Sequence, residues 1–188
     1  EADDVLGTVS RQMEKEGMEV SIVSGDRDLL QIATEHTCIR IPKTRQGQTV
    51  IENYYAADVL ERYQVTPDGF IHVKALMGDS SDNIPGVPGI GEKKGIALLE
   101  QYGTLENLID HADEVKGKMG EKLRDNIETA RMSKWLATIN TQAPVEFDWK
   151  DLELTEPDLE KLIAVYTELE FNSFIKKLQA GISGSDGA

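Results

Sequence analysis

The chain has 188 residues, 39% of them hydrophobic, and a formal net charge of −14 from 34 acidic and 20 basic side chains. No apolar run approaches the roughly 20 residues a membrane helix needs, no basic-then-apolar signal opens the sequence, and the lone Cys38 excludes a disulfide framework or a thiolate metal site. These features fit a globular protein with one core, or a core plus a small module, and a cytoplasmic location.

In chain order, Val5, Leu6, Val9 and Met13 recur at helical spacing between Asp4 and Glu16, and Gly17 supplies a stop. Glu19 to Ser24 reads as an apolar strand ending at Gly25-Asp-Arg-Asp28. A short helix around Leu29 to Ala33 leads to a strand at Thr37 to Ile41, then a hairpin loop from Pro42 to Gln48 and a further strand at Thr49 to Glu52. Helix and strand in alternation predict an α/β layer with a largely parallel sheet. Beyond Tyr54 the pattern is helical. It comprises Ala57 to Tyr63, a helix capped by Thr66 with Pro67 in first position, Glu92 to Tyr102, a short helix capped by Thr104, Met119 to Ile139, Thr155 to Leu169, and Ser173 to Leu178. Trp135 and Trp149, among apolar neighbours, read as core. His36, His72 and His111 have no spacing that suggests ligation and read as surface or packing residues.

This divides the chain into residues 1–54, an α/β core; 55–140, a helical region; 141–180, a strand and helix segment packing on the core; and 181–188, a Gly/Ser-rich flexible tail. Starting without Met inside what reads as a motif, the sequence looks like part of a longer chain.

The most informative stretch is Gly86-Val-Pro-Gly-Ile-Gly91. Glycines at 86, 89 and 91 leave a turn with little bulk, so backbone N–H groups can approach an anion, and the helix that follows aims its positive end the same way. Apolar Val87 and Ile90 alternate with the glycines, Ala75-Leu-Met77 precedes them and Ile96, Leu98 and Leu99 follow. Together these spell a helix-hairpin-helix rather than a plain loop. Lys93 and Lys94 stand beside it and Lys116, Lys118, Lys122 and Arg124 follow, whereas much of the acid lies between Glu146 and Glu170. The global charge therefore opposes contact with nucleic acid, and the local charge favours it.

Three acidic groupings stand out: Glu1, Asp3 and Asp4; Asp26 and Asp28; Asp79 and Asp82. The second lies just past the carboxyl end of a predicted strand, where open α/β sheets place ligands. Each pair alone reads equally as a helix cap or turn. If all three converge, two carboxylates about 4 Å apart repel by about 4 kcal/mol at an effective dielectric of 20, so the cluster needs cations. Hard oxygen donors without His or Cys select Mg2+ or Mn2+. Two such ions suit in-line displacement at a phosphodiester, with water rather than a protein side chain as nucleophile.

The runs Glu1-Ala-Asp-Asp4, Ser24-Gly-Asp-Arg-Asp-Leu-Leu-Gln31 and Leu76 through Lys94 resemble, in order and spacing, the 5′→3′ exonuclease domains of bacterial DNA polymerases I, which belong to the flap endonuclease family. The resemblance runs from Glu1 to about Leu178. It implies that Glu1, Asp3, Asp4, Asp26, Asp28, Asp79 and Asp82 belong to a two-metal catalytic cluster. It also implies that Gly86, Val87, Gly89, Ile90, Gly91, Lys93 and Lys94 grip duplex DNA, through a monovalent cation such as K+ at hairpin carbonyls, and that a 5′ flap or nicked duplex is cut. A linked polymerase domain would follow. Family members begin with a strand bearing an Asp ligand and a helical arch; neither is found in this sequence, which implies little cleavage by these residues alone. A binding-only helix-hairpin-helix module is the alternative. A base-excision glycosylase fits less well, because it has no use for the Asp26/Asp28 pair.

Overall fold

The computed structural model describes residues 1–45 and 47–185, with side chains as far as Ala180. The chain divides into two compact units, one spanning Glu1–Val145 and the other beginning at Glu146.

The first unit opens with helix α1 (Ala2–Lys15) and strand β1 (Val20–Val23), followed by a 3-10 segment (Asp28–Ile32), strand β2 (Thr37–Arg45) and strand β3 (Gln48–Tyr54). The sheet order is β1-β2-β3. The β1–β2 pairing is parallel, and β2–β3 is an antiparallel hairpin in register from Ile39↔Tyr54 to Arg45↔Gln48. The sheet is thus mixed, with one of its two pairings parallel. The hairpin strands also run further than their sequence suggests, because Pro42 sits inside β2, opposite Ile51. β1 pairs with β2 only between Thr37 and Arg40, so Pro42 lies where β2 has no neighbour on its other side. A residue without an N–H is tolerated at such an edge.

The apolar stripe expected of α1 does not form its buried face. Gly7, Thr8 and Ser10 are buried, whereas Val5 and Leu6 are exposed. Small residues let α1 approach the segment after Ala137 closely: a Cβ on Gly7 would lie 2.8 Å from Ile139. Thr8 ties the contact, its hydroxyl donating to the Asn140 carbonyl (3.2 Å) and accepting from the Ala143 amide (2.9 Å).

Helices α2 (Ala56–Tyr63), α3 (Pro67–Met77), α4 (Glu92–Tyr102), α5 (Leu105–Asp110), α6 (Gly117–Asp125) and α7 (Ile127–Ala137) complete this unit. Thr66 and Thr104 cap α3 and α5, accepting from the Gly69 and Asn107 amides. The helix expected over Met119 to Ile139 is two helices, broken at Asn126. α3 is central: Phe70 and His72 through Leu76 are all buried on it. Its neighbour α7 turns Ala130, Ser133 and Ala137 inward. Trp135 falls on the opposite face and is 77% exposed, so it is not a core residue. The core runs from Ile22, Leu29, Leu30 and Ile39 through Val59 and Leu76 to Leu105, Leu108 and Leu123. Each fully buried leucine contributes about 2 kcal/mol.

The second unit holds α8 (Leu159–Glu168) and α9 (Asn172–Ser185), with Tyr166, Phe171 and Phe174 clustered by ring contacts. α9 carries helical backbone through Ser185, into the stretch expected to be a flexible tail; residues 186–188 of that stretch lie outside the described residues. Among the described residues no helix is long and apolar enough to cross a membrane.

Candidate metal centre and nucleic-acid interface

Three loop or helix-terminal segments meet in a cleft of 560 Å3. The turn after β1 contributes Asp26 and Asp28, α3 contributes Lys74, and the loop between α3 and α4 contributes Asp79 and Asp82. Asp28, Asp79 and Asp82 each offer a carboxylate oxygen, and the three atoms lie within 4.8 Å of one another. Local bonding sets these positions. Asp26 accepts from the Asp28 amide (2.9 Å), and the Ser24 hydroxyl accepts from the Asp26 amide (3.1 Å), which folds the turn back on itself. Asp79 and Ile84 exchange backbone hydrogen bonds (2.9 and 2.7 Å) that close the six-residue loop. One Asp79 carboxylate oxygen also accepts from both the amide and the hydroxyl of Ser81.

Lys74, only 7% exposed, lies under this group and pairs with Asp28 at 2.5 Å and with Asp79. Burial pulls its ammonium pKa down, but the two carboxylates more than offset that and hold it above its usual value. Lys74 and Ser81 hold Asp79 below the ordinary carboxylate range. Burial pushes Asp28 up against the pull of Lys74, with Asp26 and Asp79 adding to the rise. Asp3 is raised by burial and then by Asp26, Asp28, Glu1 and Asp4, so the start of α1 faces the same field. Asp4 is committed elsewhere through one oxygen, which accepts from the Asn140 amide at 2.7 Å. Glu1, at the helix N-cap, makes no side-chain capping bond.

The arrangement therefore gathers Asp28, Asp79 and Asp82 tightly, with Asp26 in the same cleft and Asp3 within its field. It does not place Glu1 or Asp4 in the tight group. Lys74 and Glu92, which also lines the cleft, are members that spacing does not reveal. A lysine inside the apolar run Val73-Lys-Ala-Leu76 is the one signal for the first of them.

The hairpin follows directly. Gly86 has φ +60° and Gly89 φ +86°. At Gly86 the need for glycine is steric as well, because a Cβ there would lie 2.3 Å from the Gly78 nitrogen. The Gly86 amide donates to the Ser133 hydroxyl (3.0 Å), the Val87 amide to the Leu76 carbonyl (2.7 Å) and the Ile90 amide to the Val87 carbonyl (3.0 Å). Three of the hairpin amides expected to face an anion are thus spent inside the protein, and the Val87 and Ile90 side chains are core. The outward surface consists of Gly89, Gly91, the first turn of α4 with its unpaired amides, and exposed Lys93 and Lys94. The Lys94 ammonium donates to the Gly89 carbonyl at 3.0 Å.

Comparison with known proteins bears on this arrangement. Residues 1–64 match the family model described as 5'-3' exonuclease, N-terminal resolvase-like domain, and residues 65–160 match 5'-3' exonuclease, C-terminal SAM fold. The chain belongs to the 5'-3' exonuclease family. Among relatives of this family, the DNA polymerase I of Bacillus caldotenax is 48% identical over 181 residues, a match covering 96% of this chain and 20% of the polymerase. The chain thus spans about a fifth of the length of that curated relative. The zinc-bound structure of the T5 5'-exonuclease superposes with TM-score 0.66 and 28% identity, covering 75% of this chain and 51% of that one. A bacteriophage T5 flap endonuclease solved with DNA and metal ions shares the fold at TM-score 0.66 and 24% identity, over 96% of this chain and 59% of that one.

The donor set of this chain fits a divalent ion: three carboxylate oxygens within 4.8 Å of one another, with no nitrogen or sulfur donor among them.

Proposed function

We propose that this chain forms the metal-binding and duplex-gripping part of a structure-specific 5′→3′ exonuclease and flap endonuclease, joined in its parent to a polymerase and working in the cytoplasm on DNA. The single observation that carries this reading is the meeting of Asp28, Asp79 and Asp82 within 4.8 Å, beside a helix-hairpin-helix.

In this reading Asp28, Asp79 and Asp82 hold Mg2+ or Mn2+, with Asp26, Asp3, Glu1 and Asp4 extending the negative field towards a second ion. Bound divalent ions supply water activation and stabilisation of the leaving oxygen at a phosphodiester. The protein's own part is to position. Gly89, Gly91 and the first turn of α4 face the sugar-phosphate backbone of a 5′ flap or nicked duplex, and Lys93 and Lys94 add charge without reading sequence. A K+ ion at the hairpin carbonyls would have to displace the Lys94 ammonium, which now occupies the Gly89 carbonyl.

The test is cleavage of a flap substrate by the intact parent with Mg2+ or Mn2+, compared with its Asp82→Ala variant. Loss of cleavage with flap binding retained supports the assignment. Unchanged cleavage removes Asp82 from the chemistry and leaves the binding-only reading for these residues.

A further inference from the structure

Lysine is almost never buried unless paired, and Lys74 is buried with both of its partners drawn from the carboxylate group. It rises from the interior face of α3 and joins two segments distant in sequence, the turn holding Asp28 and the loop holding Asp79. Asp82, the third member, forms no ion pair with it. Without a cation, three carboxylates this close would drive each other apart. We propose that Lys74 is an internal counter-cation: it holds Asp28 and Asp79 at ion-binding separation before a divalent ion arrives, and competes with that ion for the same carboxylates. This inference rests on the metal-site reading above and adds to it a residue that tunes affinity rather than one that binds the ion.

Two consequences oppose each other. Removing the charge while keeping the length, as in Lys74→Met, raises the net negative charge seen by an incoming ion, so Mn2+ binds more tightly. It also removes the partner that holds the empty cleft together, so the metal-free protein is less stable. A positioning role limited to packing would lower stability without tightening Mn2+.

The experiment is Mn2+ titration of the full chain by calorimetry, with thermal unfolding in EDTA. Lys74→Met is expected to lower the Mn2+ Kd about tenfold, as loss of one nearby positive charge implies, and to lower Tm in EDTA. Lys74→Arg, which keeps the charge, is expected to stay near the starting protein in affinity. Should Lys74→Met not fold in EDTA, lysine-selective NMR of the unaltered chain gives the answer: the Lys74 ammonium signal is expected to shift in step with Mg2+ saturation. A Lys74 signal that ignores saturating Mg2+, or a Lys74→Met Kd equal to or weaker than the original while Asp82→Ala abolishes binding, overturns the proposal and leaves the metal site standing. Mn2+ binding indifferent to Asp82→Ala overturns both.

Discussion

Gly78 and Gly86 meet backbone to backbone, so closely that a Cβ on Gly86 would lie 2.3 Å from the Gly78 nitrogen and 2.6 Å from the Met77 carbonyl carbon. Gly78 immediately precedes Asp79, and Gly86 opens the hairpin. The two parts of the candidate site are therefore braced on each other through main chain, with no side chain between them to absorb a change.

Gly86→Ala is accordingly expected to destabilise the chain by about 2 kcal/mol or more, since it adds a backbone clash to the strain of φ +60°. Chemical denaturation checks this. Because the clash pushes on Gly78, Mn2+ binding should weaken in the folded variant too, although Gly86 is no metal ligand.

Ser133 reaches the same corner from α7, fully buried, with its hydroxyl accepting from the Gly86 amide. Ser133→Ala leaves that buried N–H without a partner and is expected to cost about 1–3 kcal/mol. Hydrogen exchange at Gly86 should accelerate in parallel; exchange as slow as before would show that the bond contributes little.

His72 makes stability depend on pH. Its Nδ1 accepts from the Leu105 amide at 3.2 Å, which requires the neutral ring, and burial followed by the nearby Lys134 charge depresses its pKa below the usual 6.5. The unfolded chain therefore binds a proton that the folded chain refuses in the window between the depressed value and 6.5. Stability contributed by the neutral ring is complete above about pH 6.5 and falls as pH drops through that window. Denaturation midpoints at pH 5.5 and 7.5 should differ in this sense, and the part of the difference due to His72 should vanish in His72→Asn, whose amide oxygen can accept the same bond.

At the hairpin, Lys93→Ala should weaken binding to duplex DNA equally for all sequences and lower the salt-dependence slope by about one, with Tm unchanged. Lys94→Ala should do the same and also lower Tm slightly, because it removes the bond to the Gly89 carbonyl. Mobility shifts at several salt concentrations separate the two variants; a loss confined to particular sequences would contradict phosphate anchoring.

Much of this architecture is legible in the sequence because local chemistry sets it. Thr66 with Pro67, Thr104, and Gly103 after Tyr102 mark helix ends by capping rules that need no tertiary context. The convergence of Asp28, Asp79 and Asp82 is only a condition at the level of sequence, since it depends on how α3 lies against the turn after β1. What stayed hidden was decided by packing partners. α1 uses its small face because the segment around Ile139 comes close, and Trp135 points outward because the short side chains of Ala130, Ser133 and Ala137 win the contact with α3. Pro42 sits in a strand because β1 is too short to reach it. Lys74 stands out in sequence only as a charge inside the apolar run of a largely buried helix, and its two carboxylate partners explain why it is there.

The central claim is that carboxylates from distant segments share divalent ions in one cleft. Anomalous diffraction from crystals soaked in Mn2+ tests it most directly. The expected result is a peak at about 2.0–2.2 Å from oxygens of Asp28, Asp79 and Asp82. Well-diffracting soaked crystals with no Mn2+ at that cleft, or with Mn2+ only at unrelated surface carboxylates, would contradict it.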